Sequence, residues 1–190
     1  MKMMCLQETP MYRLALLLTA VMLTCVSGCS RAQTVPMESS ISGWKPVTPP
    51  PSLMRYTTEA FNLLSRDPSI ITGMVQFDAE FYSAWKGIMK GVSLTPDVLE
   101  KRLLSGPQKE GRYWGNSTRS IFVYTACQAH SCSTTNIVLY YDPKAHSMGG
   151  RLQDRCGISW VGPMDEDLKN LLERISPIDP NDSNRKLDCK

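Results

Sequence analysis

The sequence predicts an α+β domain of amphipathic helices and antiparallel strands, and three patterns point there. Apolar residues recur at helical spacing across Asp78 to Lys90, where Phe81, Ala84, Trp85, Ile88 and Met89 fall on one face. Ser120 to Cys127 alternates instead, with Ile121, Val123 and Thr125 on one side and Phe122, Tyr124 and Ala126 on the other. Ile137 to Tyr141 is rich in β-branched and aromatic residues, and the short connections between consecutive strands favour antiparallel order.

The chain of 190 residues has room for one domain of ordinary size plus an extension. Arg13 precedes the uncharged, mostly apolar stretch Leu14 to Val26. That stretch is shorter than the roughly 20 residues of a bilayer span and suits the core of a signal peptide. Val26-Ser27-Gly28-Cys29 then resembles the bacterial lipobox. The resemblance implies a signal peptide over residues 1–28 and a lipid on Cys29, the N-terminus of the mature chain. An ordinary secretory signal cut after Ala32 is the other reading of these residues, and Met11 is an alternative start. Acyl chains on Cys29 would hold the protein stably on a membrane. Ser30 after that cysteine, rather than Asp, resembles the signal for outer-membrane delivery. The expected place is therefore the Gram-negative envelope, on the outer membrane facing the periplasm.

Residues 29–53 form the expected tether, with Pro36, Pro46, Pro49, Pro50 and Pro51 among small polar residues. Such a segment buries too little apolar surface to offset its ordering entropy. The folded domain is expected over residues 54–190. Thr57 to Leu64 starts it with a short helix that Asp67-Pro68 stops. Gly91 ends the helix that follows Asp78, whose Trp85 and Met89 serve the core. Thr95 and Pro96 open another helix, with Val98, Leu99, Leu103 and Leu104 apolar and Ser105-Gly106-Pro107 as its stop. Gln108 to Arg119 is polar and turn-rich, and its Asn116-Ser117-Thr118 is a chance sequon in an exported bacterial chain. Beyond the two long strands, Asp142-Pro143-Lys144 turns the chain, and Met148 to Leu152 and Gly157 to Val161 add strands. Ile158 and Trp160 are expected to face the core. Gly162-Pro163 leads into a last helix lined by Met164, Leu168, Leu171, Leu172 and Ile175. Its acidic Asp165-Glu166-Asp167 sits at the favourable end of the helix dipole and Arg174 near the other.

Charge and cysteines narrow the function. Removing residues 1–28 takes away Lys2, Arg13 and Glu8 and leaves 19 basic and 17 acidic side chains, a net charge of +2. With no block of Lys and Arg, nucleic acid is excluded as a partner. Cys5 and Cys25 leave with the signal and Cys29 carries lipid, so Cys127, Cys132, Cys156 and Cys189 remain. An even number in an exported chain favours disulfides. Of the three connectivities, Cys127–Cys132 is the local choice, and it leaves Cys156–Cys189 to tie down the tail.

Cys127-Gln128-Ala129-His130-Ser131-Cys132 then becomes the tip of a hairpin. Closing so small a ring removes roughly 2 kcal/mol of disorder from the unfolded chain. Its side chains are polar or small and add nothing to a core. A constrained, protruding loop loses less entropy on docking. A binding tip and a purely structural clip with an incidental histidine both fit these residue types. Zinc does not, because its sites use four ligands in paired clusters and His146 lies fourteen residues past Cys132. The haem motif Cys-x-x-Cys-His is absent. No cysteine is left as a nucleophile, and Gly-x-Ser-x-Gly, His-Glu-x-x-His and Gly-rich phosphate loops are missing. The expectation is a binding protein without catalysis, cofactor or metal.

The loop with its flanking strands resembles the Cys-Lys-Pro-His-Asp-Cys loop of the Ivy family, periplasmic inhibitors of vertebrate, c-type lysozyme. The likeness runs from Ala79 to Ile175 and includes Gly91, Thr95-Pro96 and Ile158-Ser-Trp-Val-Gly162. It implies a central antiparallel sheet of about five strands with helices packed against it. It also implies that His130 enters the lysozyme cleft between the catalytic carboxylates, on a loop shaped by the Cys127–Cys132 bond. Some members pair, which makes a second copy of the chain another implied partner. Gln128, Ala129 and Ser131 stand where the family loop has Lys, Pro and Asp, and the loss of the proline predicts a looser loop. Two other roles suit the same resemblance: a non-inhibitory envelope lipoprotein for protein contact, and immunity against a peptidoglycan hydrolase.

Overall fold

A computed structural model describes residues 43–70, 72–93, 95–155 and 157–182. Its strands are β1 (Lys45–Pro46), β2 (Gln108–Gly115), β3 (Ser120–Cys127), β4 (Thr135–Asp142), β5 (Ser147–Asp154) and β6 (Gly157–Val161). Its helices are α1 (Ala60–Leu64), α2 (Ala79–Lys90), α3 (Pro96–Leu103) and α4 (Glu166–Ile175), with a 3-10 helix at Pro51–Thr57. The strands form one sheet in the order β1-β2-β3-β4-β5-β6, every neighbouring pair antiparallel. The fold is α+β, as expected, with six strands in place of about five.

The two strands beyond the four placed from local pattern, β1 and β2, come from segments that lack an alternating pattern. β2 lies in the stretch expected to be turns. Its first half is polar, and its pairing to β3 slips between Lys109 and Arg112. The cause is Gly111, whose N–H donates to the carbonyl of Thr58 at 2.9 Å. A Cβ there would stand 2.2 Å from the carbonyl oxygen of Tyr56. A bulge of this kind erases the period-2 signature. β1 lies in the expected tether, yet Lys45 and Pro46 pair with Gly115 and Trp114, and Trp44 beside them is fully buried.

The sheet is covered on both faces, so β3 and β4 are buried on both sides. Phe122, Tyr124 and Ala126 face one cluster with α1, α2 and α3, and Ile121 and Val123 face the other with α4. This is the division that the alternation of β3 predicts. On the first face Phe81, Trp85, Ile88 and Met89 of α2 are buried, each worth about 1.5–3 kcal/mol. Asp78 fastens that helix: its carboxylate accepts from the N–H of Phe81 at 2.8 Å and the hydroxyl of Tyr56 at 3.1 Å, and pairs with Arg55 at 3.2 Å. Tyr124 donates its hydroxyl to the carbonyl of Tyr56 at 2.7 Å, and burial pushes the Tyr124 phenol well above its ordinary pKa.

On the second face α4 buries Leu168, Leu171 and Leu172. Asp165 caps it, accepting from the N–H of Leu168 at 2.9 Å, and Arg119 pairs with the same carboxylate at 2.5 Å. At its other end the buried Arg151 donates to the carbonyl of Ser176.

Three expectations change at the edges of these layers. Ile158 is exposed and Trp160 only half-buried, because β6 is an edge strand and only Trp160 reaches the cluster under α4. Val98 points to solvent while Leu99 and Leu103 are buried. Thr95 occupies the N-cap position of α3, but its side chain makes no capping bond.

Candidate functional site

The register of β3 with β4 places Cys127 opposite Asn136, and residues 128–134 connect the two strands. Cys127 and Cys132 are joined within that connection, their Cα atoms 4.9 Å apart. Inside the ring the N–H of Ser131 donates to the carbonyl of Gln128 at 3.0 Å, closing a turn with Ala129 and His130 at its centre. His130 has φ +62° and Ala129 is not left-handed, the sign pattern of a type II turn. A left-handed residue other than glycine costs roughly 1–2 kcal/mol. Histidine is among the types that accept this region more readily than most. The turn puts His130 at the apex, exposed, with no hydrogen bond to its imidazole among the described residues.

The return path is held by several hydrogen bonds. The carbonyl of Ser131 accepts from the N–H groups of Thr134 at 3.1 Å and Thr135 at 2.7 Å. Gln128 donates its N–H to the carbonyl of Thr135 at 3.0 Å. The side chains of Asn136 and Gln153 donate to the carbonyls of Cys132 and Ser133, at 2.8 and 2.9 Å.

A second set of contacts comes from outside the hairpin, from the end of α3 and the connection to β2. Gly106 donates its N–H to the carbonyl of Cys127 at 2.9 Å, and the hydroxyl of Ser105 accepts from the N–H of Ala129 at 3.1 Å. Arg102 donates Nε to the side-chain carbonyl of Gln128 and Nη2 to the carboxylate of Asp154, both at 2.8 Å. Gly106 lies so close to the loop that a Cβ would stand 2.5 Å from the carbonyl oxygen of Cys127. The looseness expected from alanine in place of proline is thus offset by a backing that proline itself would break. Proline at 129 has no N–H to give Ser105.

The six residues singled out in the sequence are therefore brought together, at one end of the sheet: Cys127 buried, Gln128, Ala129 and Ser131 half-buried, His130 and Cys132 exposed. Arg102, Ser105, Gly106 and Asp154 were not among them. Ser105-Gly106-Pro107 carries a helix-stop signal and nothing that marks a loop 21 to 24 positions onward. The other histidine, His146, sits in the β4–β5 turn at the far end of β4, 3.7 Å from Glu80. Among the described residues no group of three His, Cys, Asp or Glu could hold a metal ion. Cys29, Cys156 and Cys189 lie outside the described residues, and with them the lipid site and the second pairing.

Chemically the apex offers one imidazole, able to donate from one nitrogen and accept at the other. It is held on a short turn whose residues 127 and 129 are hydrogen-bonded to Gly106 and Ser105. That arrangement suits insertion into a polar cleft. No curated protein and no solved structure matches the chain. The family model described as inhibitor of vertebrate lysozyme (Ivy) matches residues 80–175, just over half of the sequence. That match runs from α2 through the braced hairpin to the last residue of α4, and the chain belongs to the Ivy family of lysozyme inhibitors.

Proposed function

We propose that this protein inhibits a lysozyme by placing His130 between the two catalytic carboxyl groups of its cleft, the c-type enzyme being the first target. The observation that carries this is the exposed His130 at the apex of a disulfide-closed, externally backed turn. A lysozyme keeps one carboxyl protonated as its acid and the other ionised, a short distance across the scissile bond. The N–H of an imidazole donates to the ionised carboxylate while its other nitrogen accepts from the protonated acid. One ring thereby occupies both groups and the space of the substrate. The mature net charge of +2 gives no long-range attraction to a basic lysozyme. Affinity then rests on fit and on the low ordering cost of a loop already in shape.

The same proposal has the protein lipid-anchored through Cys29 in the envelope, held by the segment between Cys29 and β1 where a lysozyme entering the periplasm would meet it. The support is the Val26-Ser27-Gly28-Cys29 sequence behind an apolar core. A diacylated, N-acylated Cys29 in the N-terminal peptide by mass spectrometry is the expected result. An unmodified N-terminus at residue 33 would replace the anchor with an ordinary export signal.

The inhibition is tested with His130→Ala and His130→Asn in a lysozyme turbidity assay. Asparagine tolerates the left-handed backbone, so His130→Asn removes the imidazole with the turn intact. Both variants are expected to lose inhibition by about 100-fold or more, roughly 2.7 kcal/mol. Full inhibition by His130→Asn would refute the role given to the ring.

A further inference from the structure

The contacts behind the loop have a direction: they come from one short segment, residues 102–106, and they land on the half of the ring that precedes His130. Cys127, Gln128 and Ala129 each take one bond from it, from the Gly106 N–H, the Arg102 guanidinium and the Ser105 hydroxyl. The Ser105 hydroxyl is itself oriented, because it donates to the carbonyl of Arg102 at 2.7 Å and so turns its lone pairs to Ala129. Arg102 therefore acts twice, through its guanidinium on Gln128 and through its carbonyl on Ser105. Its third contact, the ion pair with Asp154, ties the same guanidinium to the end of β5.

The platform is fixed in turn. Glu100, on the same helix α3, pairs with Lys86 at 2.9 Å and accepts from the indole N–H of the buried Trp85 at 2.8 Å, both on α2. On the far side of His130, the bonds of Ser131 with Thr134 and Thr135 are local to the connection, and within it Gln153 of β5 reaches only the carbonyl of Ser133, outside the ring. Ahead of the apex, the segment at the end of α3 joins the strained turn to the body of the domain.

We propose that Arg102 is the positioning residue of the inhibitory loop. With Gln128 and Asp154 as its two anchors it holds residues 127–129 in the conformation that presents His130, and it sets the affinity without touching lysozyme. The disulfide closes the ring, whereas Arg102 fixes the ring's attitude to the sheet. Gln128, with its side-chain oxygen engaged inward, serves the loop itself. This deepens the proposed inhibition, on which its affinity arm rests.

The test uses the full chain with Arg102→Ala, Gln128→Ala and the double variant, plus Arg102→Lys, which keeps the charge but lacks the fork that reaches two acceptors. Arg102 and Asp154 are both partly exposed, with side-chain exposures of 30% and 40%. Their separation therefore leaves the melting temperature nearly unchanged. Arg102→Ala is expected to weaken inhibition about tenfold, chiefly through faster dissociation, and Arg102→Lys to recover only part of it. Gln128→Ala is expected to cost a similar factor, and the double variant no more than either alone, since both break one contact. Independently of any lysozyme, amide exchange at Ala129 and Ser131, whose N–H groups bond to Ser105 and Gln128, is expected to rise by about tenfold in Arg102→Ala, with core amides such as Tyr124 unchanged. Unchanged exchange at those two amides would overturn the positioning role. Faster exchange in Arg102→Ala, when the parent chain inhibits no lysozyme, would leave the positioning standing and remove the proposed target. Strictly multiplicative losses in the double variant would show the two side chains acting separately and overturn the pairing.

Discussion

Gly106→Ala isolates the backing of the loop from its chemistry. Gly106 has no positive φ, so alanine can adopt its backbone without strain. What it cannot do is fit. The added Cβ would lie 2.5 Å from the carbonyl oxygen of Cys127, 2.8 Å from the nitrogen of Ala129 and 2.9 Å from the carbonyl carbon of Gln128. All three are backbone atoms of the ring, so no side chain can swing away. Restoring ordinary contact of about 3.4 Å at the closest of them requires the loop to move by about 0.9 Å relative to α3. Forcing a methyl into a packed site costs about 1–3 kcal/mol, and the same shift stretches the 2.9 Å bond from the Gly106 N–H to Cys127. For a domain of this size, 1 kcal/mol corresponds to roughly 3–5 °C in melting temperature. A fall of about 3–15 °C is therefore expected by thermal melting. Because the strain is released by displacing the half of the ring that leads into His130, inhibition of lysozyme is expected to weaken by about 10- to 100-fold. Melting and inhibition should fall together. A variant that inhibits as well as the parent would refute the idea that the segment at 102–106 sets the loop, whatever its melting temperature.

Two further outcomes test the frame around the site. Gly87 lies inside α2, and a methyl group added there would meet nothing within 4 Å. Gly87→Ala is therefore expected to stabilise the domain by about 0.5–1 kcal/mol without touching inhibition; a lowered melting temperature would show that the space beside Gly87 is not open. At Asp165 burial works to raise the carboxyl pKa. The N–H of Leu168 and the Arg119 guanidinium outweigh it and hold the pKa below the ordinary value. A depressed carboxylate contributes stability above its unfolded pKa of about 3.9 and loses it as pH falls through the folded value. Asp165→Ala should therefore cost about 1 kcal/mol at pH 7 through the lost cap. Its deficit relative to the parent should shrink in melts as the pH falls below about 4, and a deficit that stays constant there would remove the ionised carboxylate from the capping argument.

Much of this protein is written in local pattern. Helical spacing in Asp78 to Lys90 identifies α2 and its buried face, since a side chain's position on a helix follows from sequence alone. Alternation in β3 assigns its two faces correctly because neighbours on both sides hold the strand in regular register. The Cys-x4-Cys spacing suffices to suggest the ring, as its two ends are never far apart in the chain. Where the pattern breaks, the sequence is silent. β2 hides behind its Gly111 bulge, β1 behind a proline-rich stretch, and Ile158 reads as core because alternation cannot tell an edge strand from a central one.

The loop itself divides along the same line. Its residues, its closure and its histidine are local properties and are legible. What holds it is not: Arg102 and Asp154 lie 26 positions before and after Gln128, and no periodicity links them. Ser105-Gly106-Pro107 is the same string whether it merely ends a helix or backs a loop. Only when α3 packs across the end of the sheet does the missing side chain of Gly106 become the space in which the ring rests. Local sequence determined that there is a histidine-bearing tip. Long-range packing, which no short window encodes, decided how firmly that tip is held.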